Sequence, residues 1–157
     1  MHIMISVELP TLEQRRRFVM WLLSDLQPTL AQVFRTGCDA VDLLAQLLEA
    51  LGTDPPDENV LLGLMDTAEL RLVTAVVEPR WSIAASHVRL NALMVISCAA
   101  SAAAEATSVR SAEKAAYYAS RAAFYAAFPG TDAPMAMSRA RQRQEDQLTK
   151  LKASAAP

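Results

Sequence analysis

The sequence is poor in the side chains that build catalytic and metal-binding centres. Its 157 residues include only two histidines and two cysteines. Cys38 and Cys98 stand sixty residues apart and belong to no Cys-x-x-Cys pair, so a zinc site is not expected. The sequence also has no phosphate loop, no Rossmann glycine pattern, and no His-Glu-x-x-His or Glu-x-x-His motif. We therefore predict that the protein is not an enzyme and holds no cofactor or metal.

Signals for secretion and for membrane insertion are also missing. The N-terminus has no basic segment followed by a long apolar segment, which a signal peptide would require. The longest uncharged run, residues 90–104, has 15 residues and is rich in alanine and serine, so it is predicted not to span a bilayer. We expect a cytoplasmic protein with no membrane contact, in which both cysteines are buried free thiols.

Turn-forming pairs and aromatic residues are scarce, which argues against a β fold. There are four glycines, and no Asn-Gly, Asp-Gly or Gly-Gly pair marks a tight hairpin. Aromatic residues make up 6% of the chain, whereas hydrophobic residues as a whole make up 52%. The core is therefore expected to be built from aliphatic side chains and alanine.

Alanine dominates the second half of the chain. Between Ile83 and Phe128, 17 of 46 residues are alanine. Alanine is the best helix former, and its small side chain lets two helices approach closely. We predict an all-α fold, with a single domain over residues 1–157 that consists of about six to seven helices around an Ala-rich central helix pair.

Caps and helix breakers indicate where the first helices begin and end. Thr11 and Gln14 fit a capping box, and Pro28 is expected to end the first helix or start the next. A short helix is predicted over residues 29–35, and Asp39 is predicted to cap a second strong helix that Gly52 closes. Residues 1–10 alternate in polarity and are predicted to form an extended arm, because a lone strand would have no sheet to join.

The later helices are bounded in the same way. A helix is expected to start near Asp57 and to run unbroken or to break near Gly63 or Asp66. Ser82 is a predicted N-cap for the first helix of the central pair, and a turn is expected over residues 106–111. The last boundaries are the break at Pro129-Gly130, a final helix from Asp132, and a frayed tail over residues 153–157.

Charge is unevenly distributed along the chain. Residues 39–78 contain nine acidic residues and one basic residue, whereas residues 79–157 contain ten basic and five acidic residues. The acidic helices could pack on basic ones, or they could offer an acidic face to a basic partner. For the second possibility, the candidate contacts are Asp54, Asp57 and Glu58.

An aromatic stripe near residue 120 is the second candidate for a binding surface. Tyr117, Phe124 and Phe128 recur at helical spacing beside a ridge of alanines. Such a stripe usually belongs to a core, although part of it could form a binding patch. The side chains expected to contact a partner here are Tyr118 and Tyr125.

The final helix is polar and has only a narrow apolar seam. It could dock on the body of the protein or on another copy, with Arg139 and Arg143 as candidate contacts. Arg15, Arg16 and Arg17 are consecutive and point in three directions on a helix, so a solvated face is favoured over a phosphate clamp.

A stretch that covers about a quarter of the chain resembles a known class of proteins. Between Ser111 and Lys152 lie Ala-Ala-Tyr-Tyr-Ala-Ser-Arg-Ala-Ala-Phe-Tyr-Ala-Ala-Phe and then Arg-Gln-Arg-Gln-Glu-Asp-Gln-Leu-Thr-Lys-Leu. This composition resembles the alanine- and aromatic-rich helical C-termini of some bacterial immunity proteins. The resemblance implies a small helical protein that acts by binding, for example by neutralising a toxin.

These observations together predict a non-enzymatic protein-binding module with a protein partner, acting through its acidic or its aromatic surface. One alternative is a structural subunit of a homo-oligomer or larger assembly, which would use the N-terminal arm and the last helix. A second alternative is a helical nucleic-acid-binding subunit that uses Arg15 to Arg17 and Arg139 to Arg143. Nucleic acid is the less favoured partner.

Overall fold

The described part of the chain is built from α-helices. A computed structural model describes residues 5–35, 37–74, 81–104 and 110–154, and these residues form six helices and no β-strand. The all-α prediction is confirmed, and the six helices agree with the number expected. They are α1 (Leu12–Val33), α2 (Asp39–Leu51), α3 (Glu58–Val73), α4 (Ile83–Ala103), α5 (Arg110–Ala127) and α6 (Ala133–Ser154).

Side-chain caps fix the starts of several helices. At α1, the Thr11 hydroxyl accepts a hydrogen bond from the Gln14 N–H while the Gln14 side chain accepts one from the Thr11 N–H, so the predicted capping box is present. Ser82 accepts from the Ala85 N–H at the start of α4, as predicted. Asp57 caps α3. Each cap satisfies a backbone donor that the helix itself leaves unpaired.

The predicted cap of α2 is wrong. Cys38 occupies the N-cap position and makes no side-chain cap hydrogen bond, and Asp39 is the first residue inside the helix. The Asp39 carboxylate is instead held by Arg89 of α4. Asp39 could in principle cap its own helix, but its carboxylate binds the Arg89 guanidinium instead. A hydrogen bond from a charged donor is stronger than one from a backbone N–H.

The prediction that Pro28 interrupts the first helix is also wrong. Helix α1 continues through Pro28 to Val33, so there is no separate helix over residues 29–35. Pro28 is exposed, whereas Leu26 and Leu30 on either side of it are buried in the core. Packing of these two leucines holds both halves of the helix in line, although proline removes one backbone hydrogen bond.

Helix α3 is continuous, which decides between the alternatives left open by its sequence. Neither Gly63 nor Asp66 breaks it. Leu61, Leu64 and Ala68 form its buried face, while Gly63 and Asp66 lie on the exposed side. A glycine costs a helix about 1 kcal/mol relative to alanine, which three buried side chains can offset.

The alanine-rich helices α4 and α5 form the centre of the bundle, as predicted, and make the most extensive contact between any two helices. Helix α4 also packs on α1, α2 and α3, and α5 also packs on α1 and α6. Alanines that are almost completely buried line these two helices: Ala92, Ala99, Ala100 and Ala103 on α4, and Ala112, Ala115, Ala116 and Ala122 on α5. Small side chains at the contact let the two backbones approach closely.

Helix α4 is long and apolar enough, by length and composition, to cross a membrane, and it is the one such helix in the described ranges. The uncharged run of residues 90–104 covers only part of α4, which spans 21 residues. Over half of its apolar window is buried inside the fold. The core helix of a globular protein can have the same length and composition.

The two ends of the chain flank the bundle in different ways. Residues 5–10 have no regular secondary structure, and Val7 and Leu9 are buried, so this part of the predicted arm packs against the helices. The Val7 N–H donates to the Glu113 carboxylate on α5, 3.2 Å away. At the other end, the predicted frayed tail begins too early, because α6 continues to Ser154.

Three expectations lie partly or wholly outside the described residues. They concern residues 1–4 of the arm, the turn over residues 106–111 and residues 155–157 of the tail. Within the predicted turn, Arg110 and Ser111 are described, and both belong to α5.

Candidate partner-binding face

Helix α5 has a buried alanine side and an aromatic side. Six residues on the aromatic side, the last of them just beyond the end of the helix, follow one another at spacings of one or three, so they form a single face. Most of them are half-buried, and Phe128 is 49% exposed. We call this the aromatic face; its residues are Tyr117, Tyr118, Arg121, Phe124, Tyr125 and Phe128.

The rings of the aromatic face contact one another along the helix. Tyr117 and Tyr118 are 5.2 Å apart between ring centroids in an edge-to-face arrangement, and so are Phe124 and Tyr125. Phe124 also approaches Phe128, at 6.1 Å. These separations fall in the range preferred by aromatic pairs. The contacts restrict the side-chain rotamers before any partner arrives.

Arg121 lies at the centre of the aromatic face. Its guanidinium carbon is 5.8 Å from the ring centroids of both Tyr117 and Tyr125. Its terminal nitrogens donate to the two tyrosine hydroxyls over 3.4 and 3.5 Å. Burial alone would lower the pKa of Arg121, but the hydrogen bonds to Tyr125 and Tyr117 outweigh burial and raise it. The face therefore carries a fixed positive charge between two rings.

His87 ties the aromatic face to the central helix. Its imidazole is stacked on the Tyr125 ring, with centroids 4.4 Å apart and planes 14° apart. His87 is half-buried. The stack crosses from α4 to α5 and fixes the position of Tyr125 relative to the core.

A small pocket opens beside Arg121. It has a volume of about 260 Å³ and is lined by Arg121, Phe124, Tyr125 and Met137, the last from α6. Its walls are mainly apolar, and one wall is charged. This combination suits an apolar anchor side chain whose neighbour carries a carboxylate.

The aromatic residues are thus neither a closed core nor a fully exposed patch. Tyr118 and Tyr125 pack against the hydrophobic core with one edge, while both remain partly exposed. Both of these predicted site residues therefore lie on one continuous surface.

The predicted acidic site is in another part of the molecule, at the connection between α2 and α3. Asp54 and Asp57 are exposed there, and Glu58 is half-buried. Asp57 already accepts hydrogen bonds from the backbone N–H groups of Asn59 and Val60 at the start of α3. At least this acid therefore has a structural role in capping, independent of any partner.

Part of the acidic charge is neutralised inside the protein. Nε and a terminal nitrogen of Arg89 donate to the two Asp39 oxygens, each over 2.8 Å. The hydrogen bond from Arg89 lowers the pKa of Asp39, while burial partly opposes it. Arg71 is a more distant neighbour of the same carboxylate, at 3.9 Å. For these residues, the expectation that acidic and basic helices pack on each other is confirmed.

Arg139 and Arg143 line a separate, open groove of about 380 Å³ between α1, α5 and α6. On α5 the groove is bordered by Ala123, Ala126 and Ala127, which lie on the opposite side from Phe124 and Tyr125. Arg143 donates to Asp25 of α1 over 3.1 Å. The acidic, aromatic and arginine candidates therefore do not share one site.

The consecutive arginines of α1 are used mainly within the chain. Arg15 donates to the Leu9 carbonyl, Arg16 donates to the Ala103 carbonyl over 2.8 Å, and Arg17 pairs with Glu13. Arg15 and Arg16 therefore tie the arm and the end of α4 to α1, whereas the Arg17–Glu13 pair lies within α1. The sequence indicated that they diverge but gave no sign of these backbone acceptors.

The described residues offer no obvious reactive centre. Among them, no group of three His, Cys, Asp or Glu side chains could hold a metal ion. Both cysteines are free. Burial raises the pKa of Cys38, and it raises the pKa of Cys98 to about 11. Thiols with such values are poor nucleophiles at neutral pH.

Sequence reasoning missed Arg121 and His87 as parts of the aromatic face. The spacing of Tyr117, Arg121 and Tyr125, four residues apart, could have identified the arginine as a neighbour of both rings. The stack of His87 on Tyr125 joins two helices, and nothing in the sequence specifies it.

Comparison with known proteins provides no relative. No protein-family model, curated protein or solved structure matches this chain.

Proposed function

We propose that the protein is a non-enzymatic binding module that engages a protein partner through the aromatic face of α5. One observation carries the proposal: half-exposed rings surround an arginine that is held between two tyrosines. Aromatic residues and arginine are the side chains enriched where binding energy is concentrated in protein interfaces. The face is already ordered by its internal contacts, so binding has a smaller entropy cost.

The chemistry of the face favours a partner segment that is apolar with an adjacent acid. The pocket beside Phe124 can accept an apolar anchor, and the Arg121 guanidinium can pair with a carboxylate next to it. Desolvation of Arg121 by the surrounding rings would strengthen such a pair. A purely basic partner would be repelled here, which sets this proposal apart from binding at Asp54, Asp57 and Glu58.

The resemblance of residues 111–152 to immunity proteins supports a more specific proposal about the partner. This stretch contains most of α5 and α6, and therefore the whole aromatic face. We propose that the partner is a toxin or another defence-associated protein in the cytoplasm. Inhibition of that protein's activity by stoichiometric amounts of this chain would test this part.

The test is a comparison of affinities for a captured partner. The immobilised chain would first capture stoichiometric partners from the source cell. The affinity of each partner would then be measured for the unaltered chain and for the variants Arg121→Glu and Phe124→Ala. Loss of a desolvated anchor should weaken binding by roughly 1–3 kcal/mol, which is about 5- to 150-fold in affinity. Lys150→Glu and Val73→Ala are matched controls, because both residues are exposed and lie on other helices.

A partner that binds both α5 variants as tightly as the unaltered chain would overturn the proposed site. If the same partner were lost with reversal of the charges of Asp54 and Glu58, the acidic surface would take its place.

A further inference from the structure

Helix α3 carries a seam on its outward side that no other helix in the described part of the chain covers. Its inward residues Leu61, Leu64 and Ala68 are buried against the bundle. On the opposite side, Val60 is 46% exposed and Leu70 is 61% exposed. The residues between and after them keep the alternating spacing of three and four that is typical of helix–helix contacts. The α3 seam consists of Val60, Gly63, Thr67, Leu70 and Thr74.

Gly63 lies in the middle of this seam, and its contacts in the described structure do not explain why the residue is glycine. Glycine in a helix interior is less favourable than alanine, so it usually marks a close approach by another group. A Cβ atom added at Gly63 would meet no atom within 4 Å, and the residue is exposed. Packing within the chain therefore does not require glycine there. A second helix that crosses α3 at this point would require it.

The hydroxyl groups of the two seam threonines donate hydrogen bonds to backbone carbonyls of α3. The Thr67 hydroxyl donates to the Gly63 carbonyl over 2.9 Å, and the Thr74 hydroxyl donates to the Leu70 carbonyl over 2.8 Å. Because both donors are satisfied by the helix itself, an apolar partner would not leave them unpaired.

The charges at the ends of the seam select the direction of the partner helix. The exposed Asp57 lies at the N-terminal end, and Arg71, with its side chain 55% exposed, lies at the C-terminal end. Arg71 is only weakly engaged by Asp39, at 3.9 Å, because Arg89 already holds that carboxylate. In an antiparallel pair of α3 helices, each Arg71 reaches the other copy's Asp57. A parallel pair would instead place like charges together.

The seam is also self-complementary in the antiparallel direction. If the crossing point lies midway between Gly63 and Thr67, each Val60 faces the other copy's Leu70, and each Gly63 faces a Thr67. We propose that a second copy of this chain docks antiparallel along the α3 seam. The result is a two-fold symmetric dimer in which the same surface of both copies is buried. The aromatic face of α5 is not part of this contact.

The experiment is sedimentation equilibrium of the full chain over a wide concentration range. The expected result is a rise of the average mass from 17.1 kDa towards twice that value. Gly63→Gln and Leu70→Gln should each raise the dissociation constant at least about tenfold, because one fills the crossing point and the other removes an apolar contact. Met135→Gln on α6, which changes another exposed apolar residue, should leave the dissociation constant unchanged, as the matched control.

Two variants test the antiparallel register. Asp57→Asn keeps the capping ability of the side chain but removes its charge, so it should weaken association severalfold at low salt and little at high salt. Oxidation of an equimolar mixture of Val60→Cys and Leu70→Cys chains should give a disulfide-linked pair between different chains. Each variant oxidised alone should form far less disulfide-linked dimer.

Several outcomes would overturn the proposal. A wild-type chain that remains monomeric up to about millimolar concentration would do so, and so would a dimer that is indifferent to both Gly63→Gln and Leu70→Gln. Gly63→Gln replaces an exposed glycine by a better helix former, so loss of the dimer cannot be attributed to unfolding if the melting temperature does not fall.

Discussion

Arg89 on α4 holds the carboxylate of Asp39 at the start of α2 with two hydrogen bonds of 2.8 Å. Only 10% of the arginine side chain and 24% of the aspartate side chain are exposed. This contact joins residues that are fifty positions apart. It anchors the acidic segment of the chain to the central helix, and it explains why two partly buried charges are tolerated.

Removal of one partner of this pair should destabilise the protein. We expect Arg89→Met to lower the free energy of unfolding by roughly 2–4 kcal/mol, because Asp39 would be left partly buried without its donor. Chemical denaturation at neutral pH would measure the loss. Arg17→Met is the control, since the Arg17–Glu13 pair is exposed and contributes little. Equal effects of the two substitutions would contradict this account.

The same pair predicts how stability depends on pH. Arg89 lowers the pKa of Asp39 in the folded state, so the unfolded state binds the proton more readily. The stabilisation is therefore fully present above the unfolded pKa of about 3.9 and is lost as the pH falls through the lower, folded value. Denaturation of the wild type and of Asp39→Asn should show a stability difference that shrinks below about pH 4. A difference that stayed constant down to about pH 2 would argue against the pair.

Cys98 should react slowly with thiol reagents. Burial raises its pKa to about 11, so very little thiolate is present near neutral pH. We expect a disulfide reagent to label the native Cys38→Ser variant much more slowly than the same variant in denaturant, and the native rate should rise steeply with pH. The expectation fails if the native and unfolded chains react at similar rates at pH 8.

Substitution by alanine should change the stability of the protein in opposite directions at two glycines. Gly63→Ala places its methyl group in open space within a helix and should stabilise the monomer by about 0.5–1 kcal/mol. At Gly130, a Cβ atom would lie 2.8 Å from the Ala127 carbonyl oxygen and 2.7 Å from the Asp132 carboxylate, so the same change should be destabilising. Melting of dilute samples would measure both shifts, and two shifts of the same sign would contradict the geometry.

The close packing of α4 on α5 should not accept a larger side chain. Ala99 and Ala115 are completely buried. Replacement of either by leucine should cost roughly 1–3 kcal/mol or more, because the added atoms have no space. Ala45→Leu on α2 is the control, since Ala45 is exposed and its change should stay within about 0.5 kcal/mol. Urea unfolding at one fixed pH would give all three values.

The candidate site could be predicted only in part. The aromatic stripe was visible because Tyr117, Phe124 and Phe128 repeat with the period of one helix, and that periodicity is a local property. The sequence does not show which edge of each ring faces solvent, because this depends on α4 and α6, which lie beside α5. The acidic and arginine candidates do not lie on the aromatic face, because they belong to other elements of the bundle.

Local interactions specify most of the helices and several of their ends. The box at Thr11 and Gln14 and the cap at Ser82 act through hydrogen bonds within one turn, so a few neighbouring residues suffice to specify them. The alanine content likewise specified a closely packed central pair. Tertiary structure alone decided that α1 runs through Pro28, that Asp39 binds Arg89 rather than its own helix, and that the α3 seam faces outward. Each of these depends on which distant side chains bury a given surface, because contact with them outweighs the local preference.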